Sequence, residues 1–258
     1  MTKNPAKDFG PIAEDYVFFE EHSTEAEQDS RAYLTQLRQS LPTEGTIRML
    51  DFGCGSGTFT ARLLNQASWP PERLELTLIE PVEAARGQAA SRLAGFSQRR
   101  VTALETLPVG LRENFDIIIA NHVLYYVADL KDQLKRLIEA LAPTGLFLTA
   151  IAGQTNALIE LWVVGFELLN QEIPYNMSED VEFALQELGA DIEQQPIAYE
   201  LTFPDTEENR MKIIRFLMAN HLTPTLHRPL LDLFDKYHND GRIVIRTTSD
   251  HFTIRCGV

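Results

Sequence analysis

Leu50-Asp51-Phe52-Gly53-Cys54-Gly55-Ser56-Gly57-Thr58 is an apolar run that ends in a carboxylate, three alternate glycines and a hydroxyl residue opening an amphipathic stretch. The run reads as a buried strand, and the glycines let the backbone turn sharply out of it and approach a ligand closely. Amide N–H groups at the start of the following helix then face that ligand as donors. A dinucleotide fingerprint needs Gly or Ala at position 58, counted from Gly53, and that position is Thr58. A loop without the pyrophosphate-binding third glycine suits a nucleoside ligand lacking phosphates, and it argues against a nicotinamide-dependent oxidoreductase.

Working outward, Glu80 stands 23 residues past Gly57, in Leu78-Ile79-Glu80-Pro81, at the end of a second apolar run. A carboxylate there can accept hydrogen bonds from both hydroxyls of a ribose and would repel a 2′-phosphate. From about Ile47 to Gly153 short apolar runs alternate with amphipathic stretches, the pattern of a parallel sheet covered by helices. The spacing predicts strands over Ile47 to Phe52, Leu74 to Ile79, Val101 to Leu104, Phe115 to Ala120 and Leu146 to Ile151. It predicts one helix through Val82, Ala85, Ala89 and Leu93, and a stronger one from an Asp129 N-cap through Leu130, Leu134, Leu137, Ile138 and Leu141.

Residues 1–46 carry the aromatic segment Tyr16-Val17-Phe18-Phe19 and then His22-Ser23-Thr24-Glu25, where Thr24 and Glu27 form a capping-box pattern. Beyond residue 155, helices are expected around Leu158 to Leu169, Glu179 to Leu188, Glu207 to Ala219 and Pro229 to Tyr237, with a strand over Ile197 to Phe203. Arg242 to Thr247 and His251 to Arg255 alternate as a hairpin at a sheet edge would. The fold class is therefore α/β, a doubly wound Rossmann-like sheet, with a helical lid over 1–46, a nucleoside-binding core over 47–155 and a helical cap with closing strands over 156–258.

The chain has 258 residues and is 44% hydrophobic, enough for a sizeable core, which excludes disordered and collagen-like classes. Its 23 basic against 37 acidic residues give a charge of -14, a balance that repels phosphate backbones and suits a neutral or cationic small molecule better than nucleic acid. Cys54 and Cys256 are far apart, so neither a disulfide framework nor a metal site is expected, and a reducing cytoplasm is the default location. The stretch Met1 to Gly10 has no signal-like apolar run, and Glu160 and Glu167 interrupt Ala157 to Leu169, so neither secretion nor membrane insertion is expected. Monomer and homodimer both remain open.

The motifs over Ile47 to Gly153 resemble the class I S-adenosylmethionine-dependent methyltransferases. The resemblance rests on Asp51 to Gly57, on Glu80, on Phe115-Asp116-Ile117-Ile118-Ile119-Ala120-Asn121 and on the Pro143-Thr144-Gly145 turn feeding the fifth strand. It implies that Asp51, Gly53, Gly55 and Gly57 hold the methionine portion of S-adenosylmethionine, Glu80 beside Pro81 the ribose, and Glu105, Thr106 and Asn121 the neighbourhood of the adenine. Where many members carry an acidic residue at the end of strand three, Ala103-Leu104 stand here, and Glu105 is the substitute.

His22-Ser23-Thr24-Glu25, Val123-Leu124-Tyr125-Tyr126-Val127 and the closing Gly241 to Ile254 pattern are similar to the histamine N-methyltransferase family. That likeness implies an acceptor pocket of Tyr16, Phe19, Tyr125 and Tyr126, with Glu25 meeting the acceptor's amine. The family's glutamine and asparagine are replaced by His122 and Thr247, so the expected acceptor is a small histamine-like amine or azole, not histamine in particular. Because a sulfonium methyl is already activated, catalysis is expected from positioning, with His122 orienting or deprotonating the acceptor and Glu25 holding a cationic group. His221, His227, His238 and His251 show no ligand spacing and read as structural or solvated, and Cys54 as a small loop residue. Methylation of an oxygen or carbon acceptor, and a non-catalytic S-adenosylmethionine-binding role, are the alternatives.

Overall fold

A computed structural model describes Lys7, residues 9–42 and residues 44–255. Cys256 lies outside the described residues. The order is α1 (Ala13–His22), α2 (Glu25–Ser40), β1 (Ile47–Phe52), α3 (Thr58–Ala67), β2 (Leu74–Ile79), α4 (Glu83–Leu93), β3 (Thr102–Leu104), β4 (Phe115–Asn121), α5 (Leu130–Ala140) and β5 (Leu141–Ile151). Then follow α6 (Ile159–Leu168), α7 (Ser178–Glu187), β6 (Asp191–Pro204), α8 (Glu207–Met218), α9 (Pro224–Asp232), β7 (His238–Asn239) and β8 (Arg242–Arg255). One sheet runs β3-β2-β1-β4-β5-β8-β6, with the two-residue β7 paired to β8. Strands β1 to β5 are parallel, and β8 is antiparallel to both of its neighbours. This is the α/β Rossmann-like fold expected, with a mixed sheet.

Side-chain alternation along the strands divides the core in two. Met49, Ile117, Ile119, Leu146 and Leu148 pack with Tyr33, Leu34 and Leu37 of α2, Leu63 and Leu64 of α3, and Ala89 and Leu93 of α4. The neighbouring residues Leu50, Ile118, Ala120 and Phe147 point the other way, against Phe18 and Phe19 of α1 and the buried faces of α5 to α9. In α5 the buried positions Leu130, Leu134, Leu137 and Ala140 form the apolar stripe of an amphipathic helix. Helices α1 and α2 are thus part of the two cores, α1 bolted to α8 by the Phe19–Phe216 stack at 4.9 Å and by paired Asp15–Arg215 bonds of 2.9 Å.

Four expectations change. The polar run Thr247 to Asp250 does not break the closing segment into a hairpin, because β8 is one strand inside the sheet between β5 and β6. Helix α9 starts at Pro224, where a missing N–H costs nothing, and carries Pro229 in its interior instead of beginning there. Thr24 makes no capping box: its hydroxyl accepts Glu200 N–H at 2.9 Å, and Thr24 N–H donates to Glu200 O, tying the start of α2 to β6. Strand β5 begins at Leu141, so the Pro143-Thr144-Gly145 turn lies within the strand limits.

Candidate active site

At the carboxyl end of β1 the chain leaves the sheet through Gly53 and Gly57, with φ of +74° and +78°. A Cβ on Gly53 would come within 2.2 Å of Val123, and one on Gly57 within 3.1 Å of Ala89, so only glycine fits either place without displacement. Main-chain N–H groups of Gly53 and Cys54 donate to Ile79 O at 2.8 and 3.1 Å, fastening the loop to β2. From α4, Arg92 fastens its other side, donating to the hydroxyls of Ser56 at 2.9 Å and Thr58 at 2.6 Å. The Cβ direction of Gly55 meets nothing within 4 Å, which leaves that flank of the loop open to a ligand.

Glu80 follows β2 and is buried, its two oxygens accepting Gly55 N–H at 3.0 Å and Val82 N–H at 2.9 Å. Asp51 is buried one strand away, and the Thr60 hydroxyl donates to it. Burial pushes the Asp51 carboxyl up to about 7, with Glu80 adding to the rise and the Thr60 bond opposing it. Neither carboxylate has a cationic side chain bonded to it; Arg86 reaches only the main-chain oxygens of Glu80 and Pro81. Glu105 and Thr106 are exposed just after β3, at the edge. Burial pushes the Cys54 thiol up, consistent with a packing role.

Asn121 ends β4, where its Oδ1 accepts the Tyr33 hydroxyl at 2.9 Å and its Nδ2 donates to Asp29 at 3.3 Å. Three strand spacings, about 14 Å, separate β4 from β3, so Asn121 does not share an adenine with Glu105 and Thr106. It belongs with the second half of the site.

That half is built around His122, a non-glycine residue at φ +51°, a conformation found most often where surrounding structure imposes it. Its Nε2 lies 3.0 Å from Asp29 Oδ2 and 3.6 Å from Glu25 Oε2, and its Nδ1 lies 3.3 Å from the Tyr125 hydroxyl. Burial alone would lower this imidazole, but Glu25 and Asp29 overcome it and raise it to about 9. Burial raises Glu25, against the pull of His122 and the hydroxyls of Ser249, at 3.1 Å, and Tyr199. Burial would also raise Asp29, yet the two imidazoles of His122 and His251 hold it well below the usual carboxylate range.

The aromatic residues form the wall beside this cluster. Tyr125 accepts Ala152 N–H at 2.5 Å, lies parallel to His122 at 6.2 Å and meets Trp162 edge-on at 5.6 Å. Tyr126 joins Phe9 and Tyr175 at 5.5 Å each. The ammonium of Lys7 sits 4.4 Å from the Phe216 ring centre, 5.6 Å from that of Tyr126, and burial lowers it to about 7. Tyr16 packs on Phe216 at 5.4 Å and bonds to Glu20, which feels Arg62 and Arg92 near the glycine loop. Phe19, by contrast, is a core residue under Phe216. Thr247 faces the same side of β8 as Ser249, but its hydroxyl accepts Ala157 N–H at 2.9 Å.

Asp29, His251 and Ser249 are the residues that sequence reading missed. Glu25, Asp29 and Tyr33 recur at i, i+4 and i+8 on the buried face of α2, and a carboxylate inside an apolar stripe is itself a signal. Ser249 and His251 alternate on one face of β8, a pattern hidden by reading that segment as two strands. Among the described residues no group of three or more His, Cys, Asp or Glu could hold a metal ion, and no helix is long and apolar enough to cross a membrane.

A strand, glycine loop and helix followed by a buried carboxylate at the next strand end define a nucleoside site in a class I methyltransferase fold. Residues 50–147 match the family model described as a methyltransferase domain. A ubiquinone biosynthesis O-methyltransferase of Rhodopseudomonas palustris is 28% identical over 170 residues, 61% of this chain and 63% of that protein. A trans-aconitate 2-methyltransferase from the same species is 31% identical over 135 residues, 52% and 46% of the two chains. The chain therefore covers less than two thirds of the length of these curated relatives. Among solved structures, a candidate methyltransferase from Bacillus halodurans superposes with a TM-score of 0.58 at 16% identity, over 88% of this chain and all of that one. A Haemonchus contortus phosphoethanolamine N-methyltransferase, solved with S-adenosylhomocysteine, gives 0.52 at 18% identity over 87% and 52% of the two chains. At such identities these two show the shared fold.

Proposed function

We propose that the protein transfers a methyl group from S-adenosylmethionine to a nitrogen of a small amine or azole that meets His122, with a cationic group of the acceptor held by Glu25. The observation that carries this reading is the set of one imidazole and two carboxylates, a partly buried His122 with the buried Asp29 at 3.0 Å and the partly buried Glu25 at 3.6 Å, one residue past the end of the strand beside the glycine loop. The residues present fit the cofactor: the open flank of Gly55 admits it, Glu80 would take the ribose hydroxyls and Asp51 the amino end of the methionine portion. When bound, S-adenosylmethionine supplies a methyl group already activated by a positive sulfur.

The chain's own groups do the rest. At neutral pH His122 carries a proton between its two carboxylates. A cationic acceptor entering beside Glu25 brings a second positive charge to the same anions and drives that proton off. The neutral imidazole then takes up the proton the acceptor nitrogen sheds, while Tyr125 and Tyr126 exclude water and fix the ring or chain of the acceptor.

The test follows S-adenosylhomocysteine release with S-adenosylmethionine and a panel of amines and azoles, histamine and histidine among them. Turnover is expected with at least one, falling a hundredfold or more in His122→Ala, on the order of a lost general base, and clearly in Glu25→Gln. Wild-type turnover in both variants overturns the role assignment. A second reading, methylation of an acidic hydroxyl by the same imidazole, is favoured by the O-methyltransferase relatives and is decided by adding phenols to the panel. Cytoplasmic work as a monomer or homodimer, without nucleic acid or membrane, completes the proposal on the grounds of charge and cysteine content given above.

A further inference from the structure

Asp29 opens the buried stripe of α2, in the helix's second turn, and is 1% exposed. A carboxylate so placed needs donors on both oxygens. Oδ2 accepts His122 Nε2–H at 3.0 Å and Asn121 Nδ2–H at 3.3 Å, both from the end of β4, while Oδ1 accepts His251 Nε2–H at 2.8 Å, from β8. The His251 ring is 6% exposed, stands edge-on to Tyr33 at 5.3 Å, and its Nδ1 has no hydrogen-bond partner among the described residues. Its polar anchor is therefore Asp29. A buried histidine kept with one nitrogen unsatisfied, where a Leu or Phe would pack, points to a use for the other nitrogen.

We infer that Asp29 and His251 are a pair of positioning residues for His122: Asp29 fixes the Nε2 edge of that ring, leaving Nδ1 to face the acceptor beside Tyr125, and His251 holds Asp29 by its far oxygen. This rests on the role proposed for His122. With Nε2–H turned to Asp29 in both protonation states, only Nδ1 gains and loses a proton, which is how a carboxylate selects the working nitrogen of an imidazole. His251 draws off part of the Asp29 charge through its hydrogen bond. Without it, Asp29 pulls harder on His122, which then keeps its proton to higher pH. The other groups facing His122 are Glu25 from α2 and Tyr125 from the turn after β4; β5 offers it the Ala150 carbonyl, which accepts His122 N–H. Tyr199 of β6 acts on Glu25, and Glu193 of β6 lines the same small cleft as Tyr33 and His251.

The experiment is an NMR titration of histidine ring signals in the full chain with no acceptor, the His122 signals being assigned by their loss in His122→Gln. In the wild type the midpoint is expected near pH 9. Asp29→Asn should lower it by about one unit or more, His251→Leu should raise it by roughly half a unit, and His251→Gln, whose amide can still donate to Asp29, should restore it to within about 0.2 unit. A purely structural role moves none of these midpoints. An unshifted midpoint in Asp29→Asn, or a His251→Gln that behaves like His251→Leu, overturns the inference. If Asp29→Asn fails to fold, the His251 pair decides alone. The titration needs no turnover, so a panel that yields no acceptor, or a His122→Ala variant that keeps its turnover, defeats the proposed function and leaves this measurement free to stand or fall by itself.

Discussion

Two pairs of buried carboxylates flank the carboxyl end of β1, and they are answered by opposite chemistry. Asp51 and Glu80 are met by neutral donors, a threonine hydroxyl and two main-chain N–H groups. Glu25 and Asp29 are met by imidazoles, with His122 between them and His251 behind. Among the described residues the first pair has no cationic side chain bonded to it, and under the proposed function it would take a ligand that brings an ammonium and ribose hydroxyls. The second has an internal cation, which can be exchanged for the charge of an acceptor. Binding and chemistry are thus assigned to different charge arrangements on one sheet.

The strongest attack on this division is Gly53→Ala. Its Cβ would strike Val123, the residue after His122, at 2.2 Å, and its φ of +74° strains any side chain. We expect a loss of about 2 kcal/mol in stability by melting, with cofactor affinity by calorimetry falling more than about tenfold, since 1.4 kcal/mol is a factor of ten. Unchanged affinity would show that loop and His122 are less tightly joined than their packing indicates.

A smaller effect sharpens the first pair. Because Asp51 is held at about 7, above its ordinary range, its ionised form is scarce below that pH. Cofactor affinity should rise by up to about tenfold per pH unit below pH 7 and level off above it, and Asp51→Asn should flatten the curve. The stability of the free protein runs the other way: the contribution of a raised carboxyl is present below its unfolded value and lost as pH rises through 7. Opposite slopes for binding and melting are the signature; parallel slopes would remove Asp51 from the cofactor site. Smallest is Thr247→Val, which leaves Ala157 N–H unpaired and should cost about 1 kcal/mol with turnover kept within about twofold. A large loss of turnover would restore Thr247 to the acceptor pocket.

The cofactor half was legible because its demands are local: a glycine loop and a carboxylate one strand later are written within residues 50–80. The acceptor half joins α2, β4 and β8, and no short motif carries a partnership across such distances. Glu25 and His122 were reached by family likeness, while Asp29 was overlooked inside an amphipathic stripe read as packing. The polar run Thr247 to Asp250 suggested a turn, yet Ser249 and His251 are polar because they face Glu25 and Asp29 across the strand. In α9, Pro229 signalled a start, and Pro224 had already supplied it.

The hydrogen bond between Asp29 and His251 joins residues 222 positions apart. Closing so long a loop is slow to achieve and is rewarded only when nearly every strand is in place. The proposed acceptor site therefore depends on α2 and β8 together: an α2 that pulls away from β8 loses its Asp29–His251 bond and its Glu25–Ser249 bond at once. In a denaturant series, catalytic loss and global unfolding should coincide, making turnover itself a gauge of whether the chain is folded from α2 to β8.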